Sequence, residues 1–221
     1  MKMKKLTNTE GEIKMSVQEP KVKKAVTNEE MENNWIVRFD QMKSKGIPLM
    51  FIDSIIPGHQ RINYTLIGDT ASENDNFTPE ITEPHGFQIG MVKAQKGNGP
   101  AYHTHDYIES FLPLTGKWRF YWGKGPDEID GETIIDQWDL ISLPPGLWRG
   151  FENISEEDAW IFAVLEQHKV FDGKDPYWSP KVIKDAAEYG FFANDLGKMI
   201  KPDNFEELEK EIADKLKMGE K

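Results

Sequence analysis

The spacing of apolar residues divides the chain into a β-rich centre and two helical ends. In the centre, short segments rich in aromatic and β-branched residues recur at roughly ten-residue intervals, separated by turns rich in glycine, proline and asparagine. Strands of this length and spacing are typical of an antiparallel sandwich or barrel. The predicted strands cover residues 87–94, 109–114, 118–122, 133–135, 139–143, 148–151 and 160–165.

The segment before this centre predicts a helix and then a strand. Apolar residues follow one another at intervals of four, four and three from Met31 onward, which predicts a helix over 28–43. Thr27 and Glu30 have the spacing of a capping box at its start. The next apolar run, 49–52, lies between prolines and predicts a short strand.

The segment after the centre predicts two further helices. A Ser-Pro pair places proline at the first position of a helix over 180–189, and residues 205–218 carry apolar side chains at helical intervals. The chain is therefore expected to have three regions. These are a basic tail or arm (1–26), a barrel domain that includes the first helix (27–170) and a helical extension (171–221).

Composition places the chain among globular proteins. Its 221 residues are 38% hydrophobic and 29% charged. No run reaches the roughly 18 apolar residues of a transmembrane helix, and no apolar stretch follows the first lysines as it would in a signal peptide. We therefore expect a cytoplasmic protein. The absence of cysteine excludes disulfides, thiolate metal sites and cysteine nucleophiles, so any metal must rest on histidine, aspartate or glutamate.

The distribution of charge argues for a small-molecule partner. The net charge is −11, although the first 25 residues carry seven lysines and only three glutamates. An acidic body repels phosphate backbones, so neither nucleic acid nor a membrane is expected as a partner. We expect a homodimer, because barrels of this kind leave a sheet edge that the extra helices and the tail can cover or pair with a neighbour.

The residues with the clearest chemistry are two histidines and a glutamate at the start of the predicted barrel. Side chains alternate along a strand, so His103, His105 and Glu109 share one parity and are expected to point to the same side. Two imidazoles and one carboxylate on one face of an octahedron form the site of non-haem Fe(II) oxygenases, and they also suit Mn, Zn, Ni or Co.

The spacing around these residues resembles the first motif of the cupin superfamily, whose fold is a jelly-roll β-barrel. The matching positions are Gly97, His103, His105, Glu109 and Gly116. A second, partial match to the family's other motif follows at the expected distance, at Pro144, Gly146 and Asn153. Two positions depart from that second motif, because Trp138 replaces a glycine and Arg149 replaces a histidine.

The departure at Arg149 leaves the metal question open. The missing histidine is the family's usual fourth ligand, and a guanidinium has no lone pair to donate. One alternative is that the other three residues still hold a metal while Arg149 clamps or polarises a substrate anion. The other is that Arg149 pairs with Glu109 and no metal binds.

The resemblance implies two functions of different classes. The first is a mononuclear metal-dependent enzyme, a dioxygenase-like oxidoreductase that acts on a small carboxylate or enol with Fe(II), Mn, Ni or Zn. His103, His105 and Glu109 would hold the metal, Arg149 would be catalytic, and Arg149 and Gln88 would bind substrate. The alternative is a metal-free cupin that binds a small carboxylate or sugar without catalysis.

Overall fold

Two antiparallel sheets form the centre of the molecule. The computed structural model describes residues 25–68, 78–83, 85–166, 176–195 and 197–215. Within them the strands are β1 Arg61–Ile67, β2 Phe87–Ala94, β3 His103–Thr104, β4 Glu109–Pro113, β5 Trp118–Gly123, β6 Gly131–Ile135, β7 Ile141–Leu143, β8 Trp148–Asn153, β9 Ala159–Glu166 and β10 Tyr177–Trp178. All seven predicted strands are present, and the predicted ends are within two residues of the observed ones.

The strand order is that of a jelly-roll barrel. One sheet has the order β1-β2-β9-β4-β7 and the other the order β10-β3-β8-β5-β6, and neighbouring strands run antiparallel. Strands that are distant in sequence, such as β2 and β9, therefore lie side by side. The prediction of a mainly β, cupin-type jelly-roll barrel with helices at both ends is confirmed.

Aromatic side chains from both sheets pack together between the sheets. Phe151 on β8 lies against Phe120 on β5 at 4.8 Å between ring centroids, and against Phe111 on β4 of the opposite sheet at 4.6 Å. Trp118, Phe120 and Phe151 are almost fully buried. Burial of each such side chain stabilises the fold by roughly 1.5–3 kcal/mol, so this cluster fixes how the two sheets face each other.

The predicted single helix over 28–43 is wrong, because two short helices replace it. They are α1 Asn28–Asn34 and α2 Phe39–Met42. The β-branched pair Ile36 and Val37 lies at the break, where such residues weaken a helix. The predicted capping box at the start of α1 is confirmed by the two hydrogen bonds that Thr27 exchanges with Glu30.

The predicted strand over 49–52 is also wrong, because part of that run begins a helix, α3 Phe51–Ile55. A four-residue apolar run does not distinguish a strand from a buried helix. Here the Asp53 carboxylate accepts a hydrogen bond from the backbone N–H of Met50 at 3.1 Å and so caps the helix. Phe51 then packs against Phe205 at 4.5 Å between ring centroids.

The C-terminal extension supplies two helices, α4 Pro180–Glu188 and α5 Phe205–Lys215. The Ser179 hydroxyl caps α4 by accepting a hydrogen bond from the backbone N–H of Val182, as the Ser-Pro pair predicts. Phe191 and Phe205 complete an apolar cluster around α3. The extension is therefore packed on the barrel's N-terminal segment.

Strand β1 was not predicted, and its orientation positions part of the site. Arg61, Asn63 and Thr65 line the cavity inside the barrel. The alternate residues Ile62 and Tyr64 belong to a separate apolar cluster. The polar side of β1 thus faces the interior of the barrel, whereas a half-buried strand usually turns its apolar side inward.

Some predictions fall outside the described residues. Residues 1–24 of the predicted tail do so, as do the last three residues of the helix predicted over 205–218. Among the described residues, none of the helices has the length and apolar character needed to cross a membrane.

Candidate active site

Glu109 and the two histidines meet at the mouth of the barrel, although not through a single strand. His103 lies on β3 of one sheet, His105 follows that strand, and Glu109 begins β4 of the other sheet. The expectation that strand alternation alone aligns them is therefore wrong. The chain crosses between the sheets, and one ligand atom from each residue lies within 4.8 Å of the others.

Backbone carbonyls hold both imidazoles in one orientation. The Nδ1 of His103 lies 2.7 Å from the carbonyl oxygen of Ala101, and the Nδ1 of His105 lies 3.0 Å from that of Tyr107. An imidazole that donates Nδ1–H to a carbonyl keeps its lone pair on Nε2, which is the arrangement of metal-binding histidines. For His103 the local chain therefore favours the tautomer of a metal ligand. Nδ1 of His105 also lies 2.8 Å from Nη2 of Arg149, which can only donate and so favours the other tautomer of that ring.

Burial keeps the histidines neutral. It lowers the pKa of His103 well below its usual value, and the nearby charge of Arg149 lowers it further. Burial also lowers the pKa of His105, and the opposing effect of Glu109 does not reverse that shift.

Glu109 is ionised. Burial raises the pKa of its carboxyl, but the hydrogen bond with His105 and the charges of His105 and Arg149 outweigh that effect and lower the pKa overall. Its Oε2 lies 3.1 Å from the Nε2 of His105. When Nδ1 of His105 donates to Tyr107, these are two lone-pair atoms face to face, which a cation between them would stabilise.

The spacing fits one divalent ion. Metal bonds of about 2.1 Å place neighbouring ligand atoms about 3 Å apart in an octahedral shell and a little further apart in a tetrahedral one. The Nε2 to Oε2 separation of 3.1 Å agrees with this value. The three ligand atoms lie within 4.8 Å of one another, so this donor set could hold a metal ion of the kind that the cupin motif implies.

Arg149 lies beside the His-His-Glu group and contacts the same atoms that a metal would bond. The side chain is 1% exposed, and its Nη1 donates to the carbonyl oxygen of Leu147 at 2.9 Å. Its Nη2 lies 2.5 Å from Nε2 of His105 and 3.8 Å from Oε2 of Glu109. The same lone pair that would bind a metal thus faces a guanidinium.

Residues of the second motif contact residues of the first motif in the structure. Strand β8 pairs Arg149 with His103. The turn before it donates a hydrogen bond from the backbone N–H of Gly146 to the carbonyl oxygen of His105 at 2.8 Å. Trp138, at the position where the family has glycine, keeps the left-handed backbone conformation with φ of 72°. The turn shape is therefore retained despite the side chain.

A cavity of about 90 Å³ opens next to the histidines and Glu109, which is room for several waters or a small organic ligand. Its wall is mainly apolar, with contributions such as Met91 and Trp178. Gln88, predicted as a lining residue, does line it. Gln88 and Glu109 both pair with Leu165 on β9, so they flank that strand about 10 Å apart. Arg149 is not part of the lining.

Two lining residues on β1 were not predicted as site residues. Arg61 and Asn63 are buried beside the cavity. The alternation of polar and apolar residues in this segment was the available signal, but it does not say which side faces inward.

The fold and the residues at its mouth define a cupin-fold protein with a buried His-His-Glu group. No family model matches the sequence, and no curated protein matches it. Solved structures do resemble it. The Cnp3 cupin domain of Schizosaccharomyces pombe is 17% identical, with a TM-score of 0.38, over 50% of this chain and 63% of that one.

A second structure, the cupin-2 domain Rru_A2000 of Rhodospirillum rubrum, is 11% identical over 60% of this chain and 79% of that one, with a TM-score of 0.42. A cupin 2 conserved barrel protein from Rhodopseudomonas palustris is 12% identical, with a TM-score of 0.41, over 59% of this chain and 74% of that one. The chain spans less than two thirds of the Schizosaccharomyces pombe domain. At these identities and scores the likeness concerns the fold alone.

Proposed function

We propose that this protein is a cupin-type enzyme that holds one divalent metal through His103, His105 and Glu109 and acts on a small organic acid. One observation carries the proposal. Nδ1 of each imidazole lies beside a backbone carbonyl, and in the tautomer that donates from Nδ1 both Nε2 atoms keep a lone pair for a metal, next to a buried carboxylate whose pKa is lowered. A buried carboxylate needs a cation beside it, and in this proposal the metal supplies that charge together with Arg149, whose Nη2 lies 3.8 Å from Oε2 of Glu109.

The reaction proposed is a dioxygenase-like oxidation, with Fe(II) as the favoured ion and Mn, Ni or Zn as alternatives. When bound, such an ion supplies open positions for a chelating oxygen substrate and a Lewis acid or redox centre. The mainly apolar wall suits the body of an organic substrate, and the presence of Gln88 in the lining supports a role in orienting a polar group of that substrate. Arg149 contacts His105 and not the cavity, so we assign it a positioning role, with its charge favouring an anionic substrate.

A metal-free binding protein is the second candidate, and the contact between Arg149 and His105 favours it. A guanidinium nitrogen 2.5 Å from Nε2 already occupies the lone pair that the metal needs. In that case Arg149, His105 and Glu109 form a closed polar network, and the cavity binds a small carboxylate or sugar without catalysis.

Metal analysis separates the two candidates. We expect protein purified without chelator to contain close to one equivalent of Fe, Mn, Ni or Zn, and the double variant His103→Ala, His105→Ala to contain none. A matched control is His59→Ala, because His59 lies away from the Glu109 group and bonds the backbone of Gly99. Metal-free wild-type protein that stays metal-free after reconstitution with each ion contradicts the enzyme proposal.

A further inference from the structure

A row of polar side chains on β1 lines the cavity and takes no part in the proposed metal site. Arg61, Asn63 and Thr65 alternate along the strand, so they share one face. All three line the cavity. Arg61 and Asn63 are only 6% and 5% exposed. A buried polar atom is costly unless it is hydrogen-bonded.

Two donors of this row point to a ligand. Nε of Arg61 and Nδ2 of Asn63 are buried, and neither has a hydrogen-bond partner in the described part of the chain. Both atoms can only donate. Buried N–H groups in folded proteins are nearly always bonded, so two such donors on one face indicate an acceptor that comes from outside the chain.

Asp53 holds the Arg61 guanidinium by a buried ion pair. Its Oδ2 lies 3.1 Å from Nη2 of Arg61 and also accepts the backbone N–H of Met50. Asp53 is fully buried and is not part of the cavity wall. This contact uses Nη2 and Oδ2, and Oδ1 of Asp53 is, like Nε of Arg61, buried without a hydrogen-bond partner in the described residues.

The row lies close to the metal-ligand group without belonging to it. His103 and Arg61 line the same cavity. After burial, Arg149 and His105, the charge of Arg61 is a further cause of the lowered pKa of His103. A ligand of a few atoms can therefore contact β1 at one end and the His-His-Glu group at the other.

We infer that Arg61 and Asn63 bind the carboxylate of a small organic acid whose apolar body lies against Met91 and Trp178. A carboxylate offers two acceptor oxygens for the two donors, and a bond from a guanidinium to a carboxylate is among the strongest in proteins. The inference rests on the proposed function only in taking the ligand to be a small organic acid. It places the recognition of the acid on β1, apart from the metal ligands.

Calorimetric titration of the full chain with benzoate, pyruvate and acetate tests this, with uncharged benzamide as the paired probe. The titrations are made with chelator present, so that they do not depend on a metal. We expect the wild type to bind at least one of the anions and to bind benzamide more weakly. We expect Arg61→Gln and Asn63→Leu each to weaken anion binding by about tenfold or more.

One control variant and one stability measurement separate a loss of ligand binding from a loss of folding. Arg119→Gln removes the same charge from the outer face of the barrel, where Arg119 bonds Glu132 and Glu152, and it should leave binding unchanged. Arg61→Gln leaves Asp53 without its ion-pair partner and can lower stability. Asn63→Leu removes an unbonded donor at similar volume, so it should keep or raise the midpoint of thermal unfolding while it weakens anion binding.

Each outcome is decisive. Wild-type protein that binds none of the three anions overturns the inference, and so does unchanged anion affinity in a folded Asn63→Leu variant. Metal analysis of the same samples keeps the two proposals apart. A protein without metal whose anion binding depends on Asn63 refutes the enzyme proposal alone. A protein with metal whose anion binding ignores Asn63 and Arg61 refutes this inference alone.

Discussion

Replacing Arg149 by histidine should convert a weak metal site into a strong one. The substitution restores the imidazole that the cupin motif has at this position and removes a positive charge from the site. The guanidinium Nη2 lies 2.5 Å from Nε2 of His105 and 3.8 Å from Oε2 of Glu109, the two atoms that a metal would bond. A bound ion and Arg149 therefore repel each other at short range.

The size of this repulsion follows from Coulomb's law. Charges of two and one separated by about 4 Å at an effective dielectric constant of about 20 repel by roughly 8 kcal/mol. If the Arg149 side chain moves back to about 8 Å from the ion, roughly 4 kcal/mol remains. We therefore expect Arg149→His to raise affinity for Zn²⁺ or Mn²⁺ by at least about a hundredfold, which corresponds to about 2.7 kcal/mol.

Competition titration against a chelating dye measures this affinity, and circular dichroism checks that the variant is folded. Arg149→Gln separates the loss of the positive charge from the addition of a ligand. Because it removes the charge without adding an imidazole, it should give part of the gain in metal affinity. Arg119→His is the matched control on the outer surface of the barrel. A folded Arg149→His variant that binds metal no more tightly than wild type would refute the competition between Arg149 and the metal.

Three further predictions concern two turns of the barrel and the oligomeric state. Trp138→Gly should stabilise the protein by about 1 kcal/mol in urea unfolding, because Trp138 holds a φ of 72° that favours glycine; a loss of stability contradicts this. Gly99→Ala should destabilise it by more than about 3 kcal/mol, because an added Cβ would lie 1.7 Å from the carbonyl oxygen of Phe151; Gly125→Ala, in open space, is the neutral control. We also propose a homodimer, which light scattering with and without residues 1–25 tests; a monomer refutes it, and a dimer unchanged by truncation excludes the arm.

The spacing of the cupin motif predicted more of the candidate site than the alternation of residues along strands did. The motif spacing selected His103, His105 and Glu109, and the structure brings their ligand atoms within 4.8 Å of one another, since the motif reflects how the chain crosses between sheets. Strand alternation gave the same residues for a reason that the structure does not support, because β3 ends at Thr104. The motif also marked Arg149 as unusual, but its contact with His105 depends on the pairing of β3 with β8, which no local pattern shows.

Strand β1 shows what the sequence left out. Polar and apolar residues alternate from Arg61 to Leu66 as they do in many half-buried strands, and the usual interpretation places the apolar side inward. In the structure Ile62 and Tyr64 pack in an apolar cluster, while Arg61 and Asn63 line the cavity, which Tyr64 also borders. Which side of a strand faces the ligand is decided by its neighbours, so this part of the site required the fold.

The packing of α3 against the C-terminal extension ties the pocket to the end of the chain. Phe51 in α3 is covered by Phe191 and Phe205, and two residues further along the same helix Asp53 holds Arg61. A protease cut after the last barrel strand would remove both covering rings and expose the helix. Shortening the chain from its C-terminal end is therefore expected to loosen the pocket wall at Arg61, although α3 and the residues that cover it lie outside the two sheets.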